Sequence, residues 1–271
     1  MLAKLSGQRI LVRGNALRQH ERRAPSAQTV VDIFDGEWIS RLPAELSVKA
    51  GESPTFDDAR LRWAIPRLDV EGASVLELGP LEGGHSFMLE RAGAQRVTAV
   101  EANRQAFLRC LASRQLLGME RVEFLCGDFV AFLSSGDDVY DVCVACGVLY
   151  HLLDPVELIS LLSRRARRLF LWTHFYDREI LSGSRRFSAP RRATTEGFAH
   201  ELHPRRYSRV GLRLASFPGG SNPSASWLSK PDLLAALEHF GWADVELALE
   251  TSESEPGPAV ALVARNARLT A

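Results

Sequence analysis

The chain has 271 residues, 46% of them hydrophobic, with 33 basic side chains against 33 acidic ones. That length and apolar share suffice for one large domain with a full core and argue against disorder. A formal charge of zero gives the chain as a whole no nucleic-acid footprint. No apolar run approaches the roughly 18 residues of a membrane span, so a cytoplasmic protein is the expectation.

Taken in chain order, residues 1–26 are polar and Arg-rich and read as a loosely held arm. From Thr29, Val30, Ile33, Phe34 and Leu42 suggest a short helical element that breaks near Gly36 and Pro43. Phe56 to Leu68 reads as a helix with Leu61, Ala64, Ile65 and Leu68 on one side. The pattern then changes. Ser74–Leu78, Arg96–Val100, Arg121–Leu125, Val139–Ala145 and Arg168–Thr173 are short runs rich in β-branched or aromatic residues, which predicts five strands. Helical segments alternate with them, including Glu101–Leu117 and one opened by Asp154 as cap with Pro155 at the first helical position. Such alternation implies parallel pairing with helices on both faces.

From Arg178 to about Ala225 the alternation stops in an Arg/Ser/Pro/Gly-rich stretch with a hairpin expected near Tyr207–Phe217. A helix over Pro231–Phe240 and strands at Val245–Leu249 and Ala259–Val263 close the chain. The expected divisions are an arm and lid segment over 1–54, a core over 55–177 and 227–271, and an insertion over 178–226 that covers the site with the help of residues 28–45.

Cys143 and Cys146 form a C-x-x-C, but three residues apart on a strand their thiols point to opposite faces, and no second ligand pair exists. His200 and His203 miss the helical i, i+4 spacing of a zinc motif. No metal site is therefore expected. Arg164 to Arg168 and Arg185 to Arg213 read as solvated charge before anion binding.

The chemistry gathers at strand ends. The first strand runs through Glu77 into Gly79-Pro80-Leu81-Glu82-Gly83-Gly84, a turn that lets backbone approach a ligand but is not a phosphate-cradling G-x-G-x-x-G. The second ends at Glu101, some twenty residues on, where an acid can accept both hydroxyls of a ribose. The third ends at Asp128-Phe129 and the fourth at Cys146-Gly147, followed by Tyr150-His151. All four lie where an open parallel sheet binds its ligand.

In this order and spacing the chain resembles the class I S-adenosylmethionine-dependent methyltransferases from about Phe56 to Phe175, and more weakly over the last helix and two strands. The resemblance implies a Rossmann-like, doubly wound, seven-stranded, mostly parallel sheet and S-adenosyl-L-methionine as cofactor. It implies that Glu77, Gly79 and Gly83 line the methionine part, that Glu101 holds the ribose, and that Asp128 and Phe129 meet the adenine. Cys146 and Gly147 would lie with His151 where cofactor and acceptor meet. Leu81 stands where the family usually has a second glycine. The Gly147–His151 stretch is also similar, locally, to the tRNA wobble-uridine carboxymethyltransferases.

The acceptor side is expected from His151, His174 and Tyr176, the last two closing the fifth strand. A small-molecule hydroxyl or amine is the leading acceptor. The alternatives are an RNA-modifying transferase, chemistry on the cofactor itself, and a non-catalytic cofactor-binding partner subunit; the oligomeric state stays open.

Overall fold

The computed structural model describes residues 20–208, 211–213, 220–251 and 257–269. Its strands are β1 (Ser74–Leu78), β2 (Arg96–Glu101), β3 (Val122–Cys126), β4 (Tyr140–Cys146), β5 (Ala166–His174), β6 (Arg191–Thr195), β7 (Phe198–Arg206), β8 (Ser224–Trp227), β9 (Trp242–Thr251) and β10 (Ala259–Asn266). Its helices are α1 (Ala27–Val31), α2 (Ala59–Ala64), α3 (Gly84–Arg91), α4 (Arg104–Leu117), α5 (Phe129–Ser135), α6 (Pro155–Arg165), α7 (Arg178–Leu181) and α8 (Lys230–His239).

Seven strands form one sheet in the order β3-β2-β1-β4-β5-β10-β9. The pairs from β3 to β5 are parallel, and β10 runs antiparallel to both β5 and β9. Each face is sealed by its own cluster because strand side chains alternate. On β4, Cys143 and Ala145 pack with Leu133, Leu158 and Leu237 from α5, α6 and α8. Val142 and Val144 point the other way, against Leu61, Leu89 and Cys110 from α2, α3 and α4. This is the doubly wound Rossmann-like arrangement, and its strand order reverses between β1 and β4, where such sheets open a ligand crevice.

Two expected helices change shape. The helix after β2 begins at Arg104 rather than Glu101, because the Asn103 side chain accepts from the Gln105 and Ala106 amides and Glu101 stays in the strand. The run Phe56–Leu68 splits into a 3₁₀ turn, α2 and a second 3₁₀ turn, since Asp58 caps α2 and Pro66 sits in the last turn. The Asp154 cap forms as the sequence implies, accepting from Val156 and Glu157 with Pro155 at the first position.

The stretch after β5 is more regular than its composition suggests. β6, β7 and β8 make a three-stranded antiparallel sheet, and β6 turns into β7 through Glu196 and Gly197 at φ 46° and 84°, a two-residue turn matched to strand twist. The hairpin expected at 207–217 falls partly outside the described residues; within it Gly211–Arg213 is a 3₁₀ turn. Thr195 Oγ1 donates to Asp154 Oδ2 at 3.0 Å, tying this small sheet to the start of α6. Among the described residues no helix is long and apolar enough to cross a membrane.

Candidate active site

A cavity of about 450 Å³ lies over the carboxyl ends of the parallel strands. From the β3 end to the β5 end its wall carries Asp128 and Phe129, then Glu101, Gly79 to Leu81, Cys146 and Gly147, and finally Trp172. With strands about 4.8 Å apart, that row spans four spacings, the reach of an extended nucleoside-sized ligand.

Glu101 is buried at 8% exposure, and its Oε1 and Oε2 accept from the Asn103 and Leu81 amides at 2.7 and 3.0 Å. Burial pushes its carboxyl pKa up, opposed by those amides and by the charge of Arg109. The turn after β1 is shaped by its glycines: a Cβ on Gly79, at φ 63°, would stand 2.7 Å from Val148 Cγ1. Leu81 holds φ 58°, the left-handed conformation a glycine takes at no cost. Its amide is thereby aimed at Glu101, so the missing glycine is replaced by strain and a hydrogen bond. Asp128 uses Oδ1 to cap α5 through Val130 and Ala131.

Two residues expected on this wall are set back from it. Gly83 starts α3 at φ 81°, where a Cβ would meet the Phe124 ring at 2.9 Å, so it shapes the loop from behind. Glu77, at 1% exposure, lies beneath the floor, accepts from the Ser86 hydroxyl, and leaves Oε1 without a hydrogen bond, 3.9 Å from His85 Nδ1. Burial raises its pKa.

Residues the sequence did not single out occupy the β5 end. Asp58 accepts His85 Nε2 at 2.9 Å and the Arg60 guanidinium at 2.5 to 3.2 Å. Against the opposing effect of burial, the hydrogen bonds from His85 and Arg60 hold its carboxyl below the usual range. Arg60 also lies 4.2 Å over the Trp172 ring, and both Arg60 and His85 line the cavity. Ligand atoms of Asp58, His85 and Cys146 fall within 4.8 Å of one another, but the guanidinium bonded to Asp58 already supplies the positive charge there. Burial pushes the Cys146 thiol up to about 12, which makes it a neutral wall group. Cys143 faces the opposite cluster.

The outer wall is Tyr150, His151, Leu152 and Gly220 to Asn222. His151 Nδ1 stands 2.7 Å from the Tyr207 hydroxyl, and its ring lies 4.1 Å from that of Tyr150. Burial, with Arg205 and then His174 adding to it, lowers the His151 pKa to about 3. His174 and Tyr176, the other expected catalytic residues, do not reach the cavity. His174 donates Nδ1–H to the Gly257 carbonyl at 2.9 Å and stacks on Trp227 at 5.2 Å, while Tyr176 stacks on His203 at 3.8 Å. Tyr150 stands in front of His174, their rings 4.6 Å apart.

The depressed histidines have a consequence for acid stability. A His151 that stays neutral to about pH 3 when folded and titrates near 6.5 when unfolded stabilises fully above 6.5 and loses that contribution as pH falls toward 3. His174 and His203 act in the same direction, whereas the raised Glu77 and Glu101 act in the opposite one. Comparing wild type with His151→Gln isolates the residue: between pH 6.5 and 4.5 the variant's melting temperature should fall less steeply. Parallel slopes would refute the assignment.

An N-terminal strap covers the β1 turn. Glu82 has no exposed surface; Oε1 accepts from the Ile39 amide and Arg109 Nε, each at 3.0 Å, and Oε2 from the Ser40 amide at 2.7 Å. Arg109 also bonds Glu37 at 3.0 Å and lines the cavity. Val31, Trp38, Leu42 and Phe56 form the strap's own cluster against Phe87 and Leu116.

Comparison with known proteins agrees with this architecture. Residues 75–169 match the methyltransferase domain family. Among solved structures, the N-terminal domain of EvdMO1, crystallised in the presence of SAH and D-fucose, superposes with a TM-score of 0.67 at 21% identity, covering 88% of this chain and 95% of that one. Full-length EvdMO1 aligns at 0.59, and this chain spans 46% of its length. An S-adenosylmethionine-dependent methyltransferase from Mesorhizobium loti aligns at 0.53 with 15% identity, covering 78% and 99%. No curated protein sequence matches. The fold is therefore that of the Rossmann-like methyltransferases. Residues 75–169 are thus a methyltransferase domain, set in a fold shared with S-adenosylmethionine-dependent methyltransferases.

Proposed function

We propose that the enzyme transfers the methyl group of S-adenosylmethionine to an oxygen or nitrogen of a small-molecule acceptor, and that the cavity over the strand ends holds both reactants. The carrying observation is the wall itself: an acid at the β2 end, an arginine at the β5 end, and a separate outer wall of Tyr150, His151 and residues 220–222. Those residues suit the cofactor. Glu101 keeps lone pairs for ribose hydroxyls beyond the two it gives to amides, Asp128 and Phe129 flank the adenine place, and Gly79, Cys146 and Gly147 bound the methionine portion. Arg60 is the cation for its carboxylate. Glu77 and Gly83 act indirectly, beneath and behind the loop. When bound, the cofactor supplies an electrophilic sulfonium methyl; the chain's part is to align the acceptor and exclude water.

The size of the cavity favours a small acceptor, since ligand pockets of about 300 to 1,000 Å³ enclose drug-sized molecules. A structural neighbour crystallised in the presence of SAH and D-fucose is compatible with that choice. The RNA alternative loses part of its basis because much of the first arginine cluster is spent internally. Arg165 donates to the Leu133 and Asp138 carbonyls, Arg168 to Leu68, and Arg164 pairs with Glu196. In domain terms, the strap up to residue 54 and the insertion 178–226 act as covers on the core.

Incubation with trideuteromethyl-labelled cofactor and a metabolite extract should yield S-adenosylhomocysteine and a labelled product of matching mass. Methylthioadenosine instead, or labelling of added total RNA alone, would overturn the proposal. Glu101→Ala should weaken S-adenosylhomocysteine binding about 10- to 100-fold, from the loss of charge-assisted bonds worth about 1.5 to 3 kcal/mol each before compensation. An unchanged dissociation constant in calorimetry would remove Glu101 from the site.

A further inference from the structure

Behind the outer wall lies a buried cation that meets no carboxylate among the described residues. Arg205 on β7 is 9% exposed, and its Nε has no hydrogen-bond partner. Its guanidinium lies 5.2 Å from the ring centres of both Tyr207 and Trp227 and within hydrogen-bonding reach of the Tyr207 hydroxyl. Among the described residues it makes no ion pair. A buried charge left unpaired is costly, and packing on two aromatic faces offsets only part of that.

The cation biases the hydrogen-bond direction at His151. Arginine can only donate, so the Tyr207 oxygen accepts from Arg205, which favours the arrangement in which the phenol proton turns to His151 Nδ1, 2.7 Å away. A neutral imidazole whose Nδ1 accepts carries its proton on Nε2. His151 lines the cavity, and its Nε2 has no protein partner among the described residues. The other titratable groups facing the ring are Tyr150 on the same turn and His174 from β5. Neither brings a negative charge, and burial raises the Tyr150 phenol further.

We propose that the acceptor is bound as an oxyanion, a carboxylate or an enol or phenol acidic enough to be ionised at neutral pH, by the His151 Nε2–H that Tyr207 and Arg205 hold in place. This rests on the small-molecule methyltransferase function proposed above. The ionised oxygen contributes the electron pair of the new C–O bond, the C–S bonding pair stays on sulfur, and anion plus sulfonium give two neutral products with no proton left over. No general base is required, in keeping with an imidazole that burial and Arg205 keep neutral down to about pH 3. Arg205 and Tyr207 are positioning residues, acting on the acceptor through His151.

The test uses the full chain, trideuteromethyl-labelled cofactor and a metabolite extract split by anion exchange at pH 7. Label should enter compounds from the retained fraction, and in weak buffer no proton should be released per S-adenosylhomocysteine formed. Label entering only flow-through compounds, or one proton per turnover, would overturn the oxyanion while leaving the methyltransferase intact; no S-adenosylhomocysteine with either fraction would remove the small-molecule function and the inference with it. With the retained fraction as substrate, Arg205→Met should raise the apparent KM by about 10- to 100-fold, with Arg205→Lys recovering part of the loss. S-adenosylhomocysteine affinity should stay within about twofold in both variants, a change under 0.5 kcal/mol. A merely structural arginine would lower the melting temperature without moving KM; should the methionine variant not fold, the lysine variant and the proton count decide.

Discussion

Replacing Glu82 with alanine is expected to remove about 3 to 5 kcal/mol of folding stability, the cost of breaking a buried ion pair by deleting one partner. The carboxylate has no exposed surface and satisfies three donors from two distant elements, the Ile39 and Ser40 amides of the strap and Arg109 Nε of α4. Alanine would leave Arg109, itself 3% exposed, with only the partly exposed Glu37 as counter-charge. It would also leave the buried Ser40 amide and the part-buried Ile39 amide without their acceptor. Against a total stability of about 5 to 15 kcal/mol, this loss is large. Glu82→Gln should recover little, because its amide nitrogen would turn a donor toward a donor. Urea unfolding with Glu45→Ala as an exposed control from the same strap, expected within about 0.5 kcal/mol of wild type, measures the effect. A Glu82→Ala loss under about 1 kcal/mol would mean that the strap does not depend on this contact. Cofactor affinity should fall too, since Arg109 lies on the cavity wall and its charge acts on Glu101.

Glu82 was invisible in the sequence for a physical reason. In a glycine-rich turn an acidic residue reads as solvated loop, and its burial depends on amides 42 and 43 positions earlier and an arginine 27 positions later. The same holds for Asp58, Arg60 and His85, joined only when α2 meets the start of α3. The central strands were legible because burial on both faces demands unbroken β-branched and aromatic runs. Glu101 was legible because the β2 end is fixed by strand length alone. His174 and Tyr176 were misplaced at the cavity because strand-end position fixes neither the direction nor the neighbours of a side chain; here Trp227 at the end of β8 and His203 on β7 cover them. The insertion looked irregular since Arg, Pro and Ser mask the alternation of β7, whose buried His200 and Leu202 share one face while the buried His203 and Arg205 take the other.

The second large effect is expected at His151, where alanine should cut turnover per folded molecule about 10²- to 10³-fold, the usual loss for one preorganised donor at a reacting centre. A general base would act through the upward limb of a pH profile near its own pKa. With a pKa near 3 the imidazole has no such limb between pH 5 and 8, so any rise in kcat there should follow the acceptor's ionisation and persist, scaled down, in the variant. Cofactor affinity should move by less than about tenfold, or 1.4 kcal/mol, because Glu101 and Arg60 occupy the far parts of the wall. Some stability will be lost as well: Tyr207, half-buried beside Arg205, loses the partner for its proton. Dissociation constant, melting temperature and kcat measured on one preparation separate the two effects. A near-wild-type kcat at a lowered melting temperature would make His151 a structural residue, and the role would not pass to His174 or Tyr176, which the aromatic stack keeps away from the cavity.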